Sequence, residues 1–162
     1  MNAIEVAHLS KSYRRRPALS DLSLSLSAGQ IVGLMGDNGS GKTTLLKILA
    51  GVLSDWEGEV SVCGHRPGPE SKAQVSFLPD ASFLPDHYSC ADAISLYKEF
   101  FEDFDAVKAT EMVRFFDLPA DRSLKELSKG MREKLQIALA MSRAARVYLP
   151  GRADLRGRPG CP

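Results

Sequence analysis

A chain of 162 residues with 44% hydrophobic and 25% charged side chains fits one globular domain with a real core, and excludes a disordered polymer. Its 21 Lys and Arg against 20 Asp and Glu leave a formal net charge of +1, which argues against a strongly basic nucleic-acid-binding domain, so no nucleic-acid partner is expected. Three widely spaced cysteines (Cys63, Cys90 and Cys161) exclude a disulfide scaffold and suit a reducing cytoplasm; no apolar run is long enough to span a bilayer, and Glu5 and His8 stand where a secretory signal needs apolar residues.

Ile4, Val6 and Leu9 open the chain with a short strand pattern. Leu22, Leu24 and Leu26 alternate with serines, which predicts a half-buried strand, and Ala28-Gly29 marks a turn after it. The unalternated run Ile31-Val32-Gly33-Leu34-Met35 predicts a strand buried on both faces. A glycine-rich loop and a helix from Thr43 to Ala50 follow, then a strand from Gly58 to Cys63, a loop at Pro67, Gly68 and Pro69, and a buried strand from Val75 to Leu78. Ser89 is positioned to cap a helix reaching about Phe101, with Ile94, Tyr97, Phe100 and Phe101 on one face. A second helix spans Ala106 to Phe116, and Ser128 caps a third that carries Leu135, Ala138, Leu139 and Ser142 at helical spacing. Val147-Tyr148-Leu149 begins a strand. Strands, then helices, then a strand predict an α/β core with a helical insertion. The Ser-Phe-Leu-Pro-Asp segment ending at Asp80 recurs ending at Asp86, too few copies for a repeat fold. His8, His65 and His87 lack metal-ligand spacing.

The segment Gly36-Asp37-Asn38-Gly39-Ser40-Gly41-Lys42-Thr43 fits G-x-x-x-x-G-K-[ST] between a predicted buried strand and a predicted helix, the context that a phosphate-binding loop needs. Its glycines let successive backbone N–H groups turn toward phosphate oxygens, and the helix N-terminus adds partial positive charge. Lys42 is placed to reach the β- and γ-phosphates of a nucleotide, and the Thr43 hydroxyl to bind Mg²⁺. Thr44 continues the candidate ATP site into the helix.

With this loop in place, residues 3–149 resemble the ATP-binding subunit of an ABC transporter, a P-loop NTPase with N-terminal antiparallel strands and a helical subdomain. Leu9-Ser-Lys-Ser-Tyr13 looks like the family's A-loop, so the resemblance gives Tyr13 the role of stacking on adenine; a tyrosine packed on its strand neighbours is the alternative. Leu127-Ser128-Lys129-Gly130-Met131 resembles the LSGGQ signature, matching at Ser128 and Gly130 and departing at Lys129 and Met131. In the family this segment closes on the γ-phosphate held by the opposite subunit of a dimer. Asp80 stands where the family has the glutamine of its Q-loop; it either faces Mg²⁺ or is a surface carboxylate. Residues from about 89 to 128 resemble the helical subdomain that contacts the membrane subunit. The resemblance therefore implies ATP and Mg²⁺ as cofactors, a membrane permease and a second ATP-binding subunit (identical or different) as partners, and a place on the inner face of the cell membrane.

The chain departs from the pattern after Leu149. The family's Walker B strand ends in Asp-Glu, whereas Pro150-Gly151-Arg152 follows here, so no catalytic residue is assigned. Removing one C from the Pro150 codon of the back-translated sequence permits Leu-Asp-Glu-Pro-Ile-Tyr-Gly-Val-Asp-Pro-Ala-Ala in the shifted frame. The expectation is a partial ATP-binding domain over 1–149, with an incomplete C-terminal core sheet, followed by an out-of-frame, disordered tail over 150–162. Two functions remain open: a transport ATPase subunit, or a nucleotide-binding fragment without turnover.

Overall fold

Leucine–serine alternation needs a partner strand to become structure. In the computed structural model, which describes residues 2–79 and 84–151, that partner is the chain's own N-terminus. Strand β1 (Asn2–Tyr13) pairs antiparallel with β2 (Arg16–Ser27), setting Ile4 opposite Leu26, Val6 opposite Leu24 and Leu9 opposite Leu22. Strand β3 (Glu57–Val62) adds to the other side of β1, giving the order β2-β1-β3. A bulge between Val6 and Leu9, with His8 in the left-handed region at φ 51°, re-phases β1. Ile4 and Val6 before it, and Leu9 and Lys11 after it, are consequently all buried.

Helix α1 (Lys42–Leu49) lays Leu45, Ile48 and Leu49 on this sheet, and the cluster takes in Val60, Val62, Val75, Val147 and Leu149. Strand β4 (Val75–Leu78) and strand β5 (Val147–Pro150) form a separate parallel pair, with Val75 opposite Val147 and Leu78 opposite Pro150. A second core joins helices α3 (Cys90–Phe100), α4 (Ala106–Phe115) and α5 (Lys129–Met141) around Cys90, Ala93, Tyr97, Val113, Leu135 and Leu139. Ser89 caps α3 reciprocally: its hydroxyl accepts from the Asp92 N–H at 3.1 Å, and its own N–H donates to the Asp92 carboxylate at 2.8 Å. Asp105 and Ser128 cap α4 and α5 through the N–H groups of Lys108 and Met131.

The two cores are tied by Arg143, which is only 7% exposed. Its guanidinium holds both oxygens of Asp103 at 3.0 and 3.1 Å, donates to the Val75 carbonyl at 2.9 Å, and lies 4.2 Å from the centre of the Phe101 ring. Tyr97 packs against Phe101 and Phe104, and burial pushes its phenol up to about 12 despite the opposing charge of Arg143.

Four expectations change. Residues 31–35 are not a buried strand: no described strand pairs with them, and Ile31, Val32, Leu34 and Met35 are exposed. An apolar run becomes a strand only when neighbours complete its backbone ladder. Pro69 is not loop but the first residue of helix α2 (Pro69–Gln74), where a proline's fixed φ and missing N–H suit the first turn. Phe100 is exposed, because Phe101 leaves the helix in an extended conformation and folds back onto Tyr97 in its place. Pro150 belongs to β5 rather than to a tail, and the Gly151 N–H extends the pairing to the Leu78 carbonyl at 2.7 Å. Asp80 and residues 152–162 of the expected tail lie outside the described residues.

Candidate functional site

The loop between residue 35 and α1 is shaped by its backbone. Gly39 and Gly41 sit at φ +84° and +88°, a region that side chains with a Cβ rarely adopt. At Gly41 there is also no room: a Cβ would fall 2.2 Å from the Ala18 carbonyl oxygen and 2.7 Å from Leu19 Cδ2. The β1–β2 hairpin thus lies directly against the loop at the point where the helix begins. Ser40 N–H donates to the Asp37 carbonyl at 3.2 Å and tightens the turn around Asn38.

Lys42 folds over this loop. Its ammonium donates to the Gly36 and Asp37 carbonyls at 2.7 and 2.6 Å and to the Ser40 hydroxyl at 3.2 Å. Helix α1 begins at Gly41 without a side-chain cap and without an acidic residue in its first turn. The N–H groups of Lys42, Thr43 and Thr44 have no carbonyl one turn earlier within the helix, so the helix start favours an anion.

Tyr13, Ala18, Asn38, Gly39, Gly41, Lys42, Thr43 and Thr44 line one cleft of about 280 Å³. The structure therefore brings Tyr13, from the end of β1, to the same cleft as the loop and the first turn of α1. Tyr13 is 45% exposed, and the ammonium of Lys11 lies 5.1 Å from its ring centre. Gly36, Asp37 and Ser40 belong to the loop but do not line this cleft.

These groups suit a nucleoside triphosphate bound with Mg²⁺. The cation at Lys42, the helix start and the glycine backbone are anion-binding features, the exposed Thr43 hydroxyl is an oxygen donor of the kind Mg²⁺ takes, and Tyr13 offers an aromatic face.

The signature-like segment stands elsewhere. Leu127 is buried in the helical core, whereas Ser128, Lys129 and Gly130 are exposed at the start of α5, and Met131 is half-buried. Lys129 and Glu133 are 4.0 Å apart along the helix. Nothing stands within 4 Å of where a Gly130 Cβ would be, so this helix start has an open face. None of these five residues lines the Tyr13–Lys42 cleft.

The sequence motifs do not single out Ala18, Lys11 or Asp55. Lys11 shares the strand period of Leu9 and Tyr13, which was a usable signal; Asp55, whose carboxylate meets Lys11 at 2.8 Å, had none.

A family model described as ABC transporter matches residues 19–150. The chain is 31% identical over 148 residues to "ABC transporter ATP-binding protein YtrB" of Bacillus subtilis (strain 168), covering 90% of this chain and 50% of that protein. It is 29% identical over 146 residues to "Nod factor export ATP-binding protein I" of Cupriavidus pinatubonensis (strain JMP 134 / LMG 1197), covering 85% of this chain and 45% of that one. The chain thus spans about half the length of these curated relatives. A solved structure, "Structure of ATP binding subunit of ABC transporter", superposes with a TM-score of 0.81 at 26% identity, covering 91% of this chain and 65% of that chain.

Proposed function

Since the chain belongs to the ABC transporter family of ATP-binding proteins, we propose that the Tyr13–Lys42 cleft is its ATP site. The observation that carries this reading is the shared lining of one cleft by an exposed aromatic ring, an ammonium group and an uncapped helix start. Tyr13 stacks on the base. The amides of residues 36–44 and the Lys42 ammonium hold the phosphates, and Thr43 ligates Mg²⁺. Bound Mg²⁺ supplies charge neutralisation across the phosphates. Lys42 must exchange its bonds to Gly36, Asp37 and Ser40 for bonds to phosphate, so the loop is held shaped by the same group that the ligand recruits.

The exposed start of α5 at Ser128, Lys129 and Gly130 is the surface offered to the nucleotide of a second ATP-binding subunit, which explains why it lies away from the cleft of its own chain. The helical core carries a second cleft, lined by His87, Tyr88, Asp92, Ser95, Leu96 and Glu99, as the face for a membrane permease. No helix of the described residues is long and apolar enough to cross a membrane, and that permease would hold the chain at the inner membrane face. The test of the site is hydrogen exchange with and without MgATP. Protection of the amides of residues 36–44 supports it; unchanged exchange there refutes it.

The second reading is nucleotide binding without hydrolysis by this chain, and it rests on the described end of β5 alone. Leu149, Pro150 and Gly151, at the end of β5, bring no carboxylate to hold the metal or orient water. A positioned general base alone is worth roughly 10²–10⁴-fold in rate. On this reading the 162-residue chain with MgATP releases phosphate no faster than its Lys42→Ala variant, and a rate well above that variant's refutes it.

A further inference from the structure

We infer that Lys11, anchored by Asp55, is a positioning residue that orients the Tyr13 ring for the nucleobase; this rests on the reading of Tyr13 as the base-stacking group. A tyrosine at the end of a strand, 45% exposed, has free rotamers unless something holds its ring. Lys11 does so. It lies two residues earlier on the same face of β1, is 8% exposed, and places its ammonium 5.1 Å from the ring centre. A cation over an aromatic face is attracted by the ring quadrupole, more strongly when it is shielded from water.

The ammonium is itself fixed. Its bond to the Asp55 carboxylate is 2.8 Å, and Asp55 reaches in from the segment before β3 with its own side chain 94% exposed. Lys11 does not line the cleft, so it acts through Tyr13 rather than on the phosphates. The hairpin that carries Tyr13 is meanwhile held against the phosphate loop by the close approach of Ala18 and Leu19 to Gly41. Base platform and phosphate loop are therefore each fixed by a separate contact: the first by Lys11 and Asp55, the second by Gly41.

The test compares Mg²⁺-bound ATP with Mg²⁺-bound inorganic tripolyphosphate by calorimetry on the whole 162-residue chain. The ratio of the two affinities isolates the base and sugar contribution. Lys11→Met keeps the buried stem and removes the cation; Lys11→Arg keeps a cation. We expect Lys11→Met to shrink the ratio by about two- to fivefold with tripolyphosphate affinity unchanged, and Lys11→Arg to restore it. Asp55→Asn, whose own side chain is exposed and which keeps a hydrogen-bond acceptor for the ammonium, should shift the ratio the same way, and decides the matter if Lys11→Met does not fold. Equal weakening of both ligands, or a ratio unmoved by Lys11→Met and Asp55→Asn while Tyr13→Ala lowers it, overturns the role of Lys11 and leaves the site standing. A ratio unmoved by Tyr13→Ala overturns the stacking role of Tyr13, and this inference with it.

Discussion

Gly41 and Gly39 make a matched pair of perturbations. Both sit in the left-handed region, at φ +88° and +84°, so alanine at either carries a backbone cost of about 1–2 kcal/mol. They differ in what the added methyl meets. At Gly39 nothing lies within 4 Å; at Gly41 it would stand 2.2 Å from the Ala18 carbonyl oxygen and 2.7 Å from Leu19 Cδ2. The carbonyl is backbone in β2 and cannot rotate away, so the hairpin itself must move. Forced overpacking of this kind costs about 1–3 kcal/mol. Gly41→Ala should therefore destabilise the fold by about 2–5 kcal/mol and Gly39→Ala by about 1–2. Urea unfolding followed by far-ultraviolet circular dichroism measures the difference. Displacing the hairpin also carries Tyr13 away from the loop, so MgATP affinity should fall further in Gly41→Ala. Equal unfolding midpoints for the two variants would show that the hairpin does not press on Gly41 in solution.

Arg143→Met should cost on the order of 3 kcal/mol, because it strands the Asp103 carboxylate and removes a donor from the Val75 carbonyl between the two cores; a thermal melt within a degree of the parent would refute this. The Tyr97 phenol, raised from 10.0 to about 12, gives stability that is whole below pH 10 and lost as pH climbs through about 12, so Tyr97→Phe should flatten the alkaline decline in unfolding midpoint. Asp92 is pulled below its ordinary 3.8 by the Ser89 N–H and then by the Ser89 hydroxyl; its contribution is present above pH 3.8 and lost as pH falls through its folded value, and Asp92→Asn should remove that acid dependence.

Local chemistry made most of the elements legible. Leucine–serine alternation announced β2, and Ser89 and Ser128 announced the starts of α3 and α5 through hydroxyls that do cap them. The order and spacing of the phosphate-loop and signature-like residues pointed to the family that residues 19–150 match. What escaped depends on distant partners. Residues 31–35 have the composition of a buried strand, but pairing, not composition, makes a strand, and no described strand pairs with them. Arg143 reads in sequence as an ordinary cation past a helix end; only the fold brings Asp103, Phe101 and the Val75 carbonyl around it. Asp55 was invisible for the same reason, since its partner Lys11 is 44 residues away.

The central claim, that Lys42 and its loop bind the phosphates of ATP, is tested most directly by calorimetry of MgATP with the parent chain and with Lys42→Ala. A charge-assisted contact is worth about 1.5–3 kcal/mol, partly offset here by the bonds that Lys42 gives up to the Gly36 and Asp37 carbonyls and the Ser40 hydroxyl. Affinity should therefore fall by roughly tenfold or more with the fold intact by circular dichroism. Equal affinity of two folded proteins for MgATP would contradict the account.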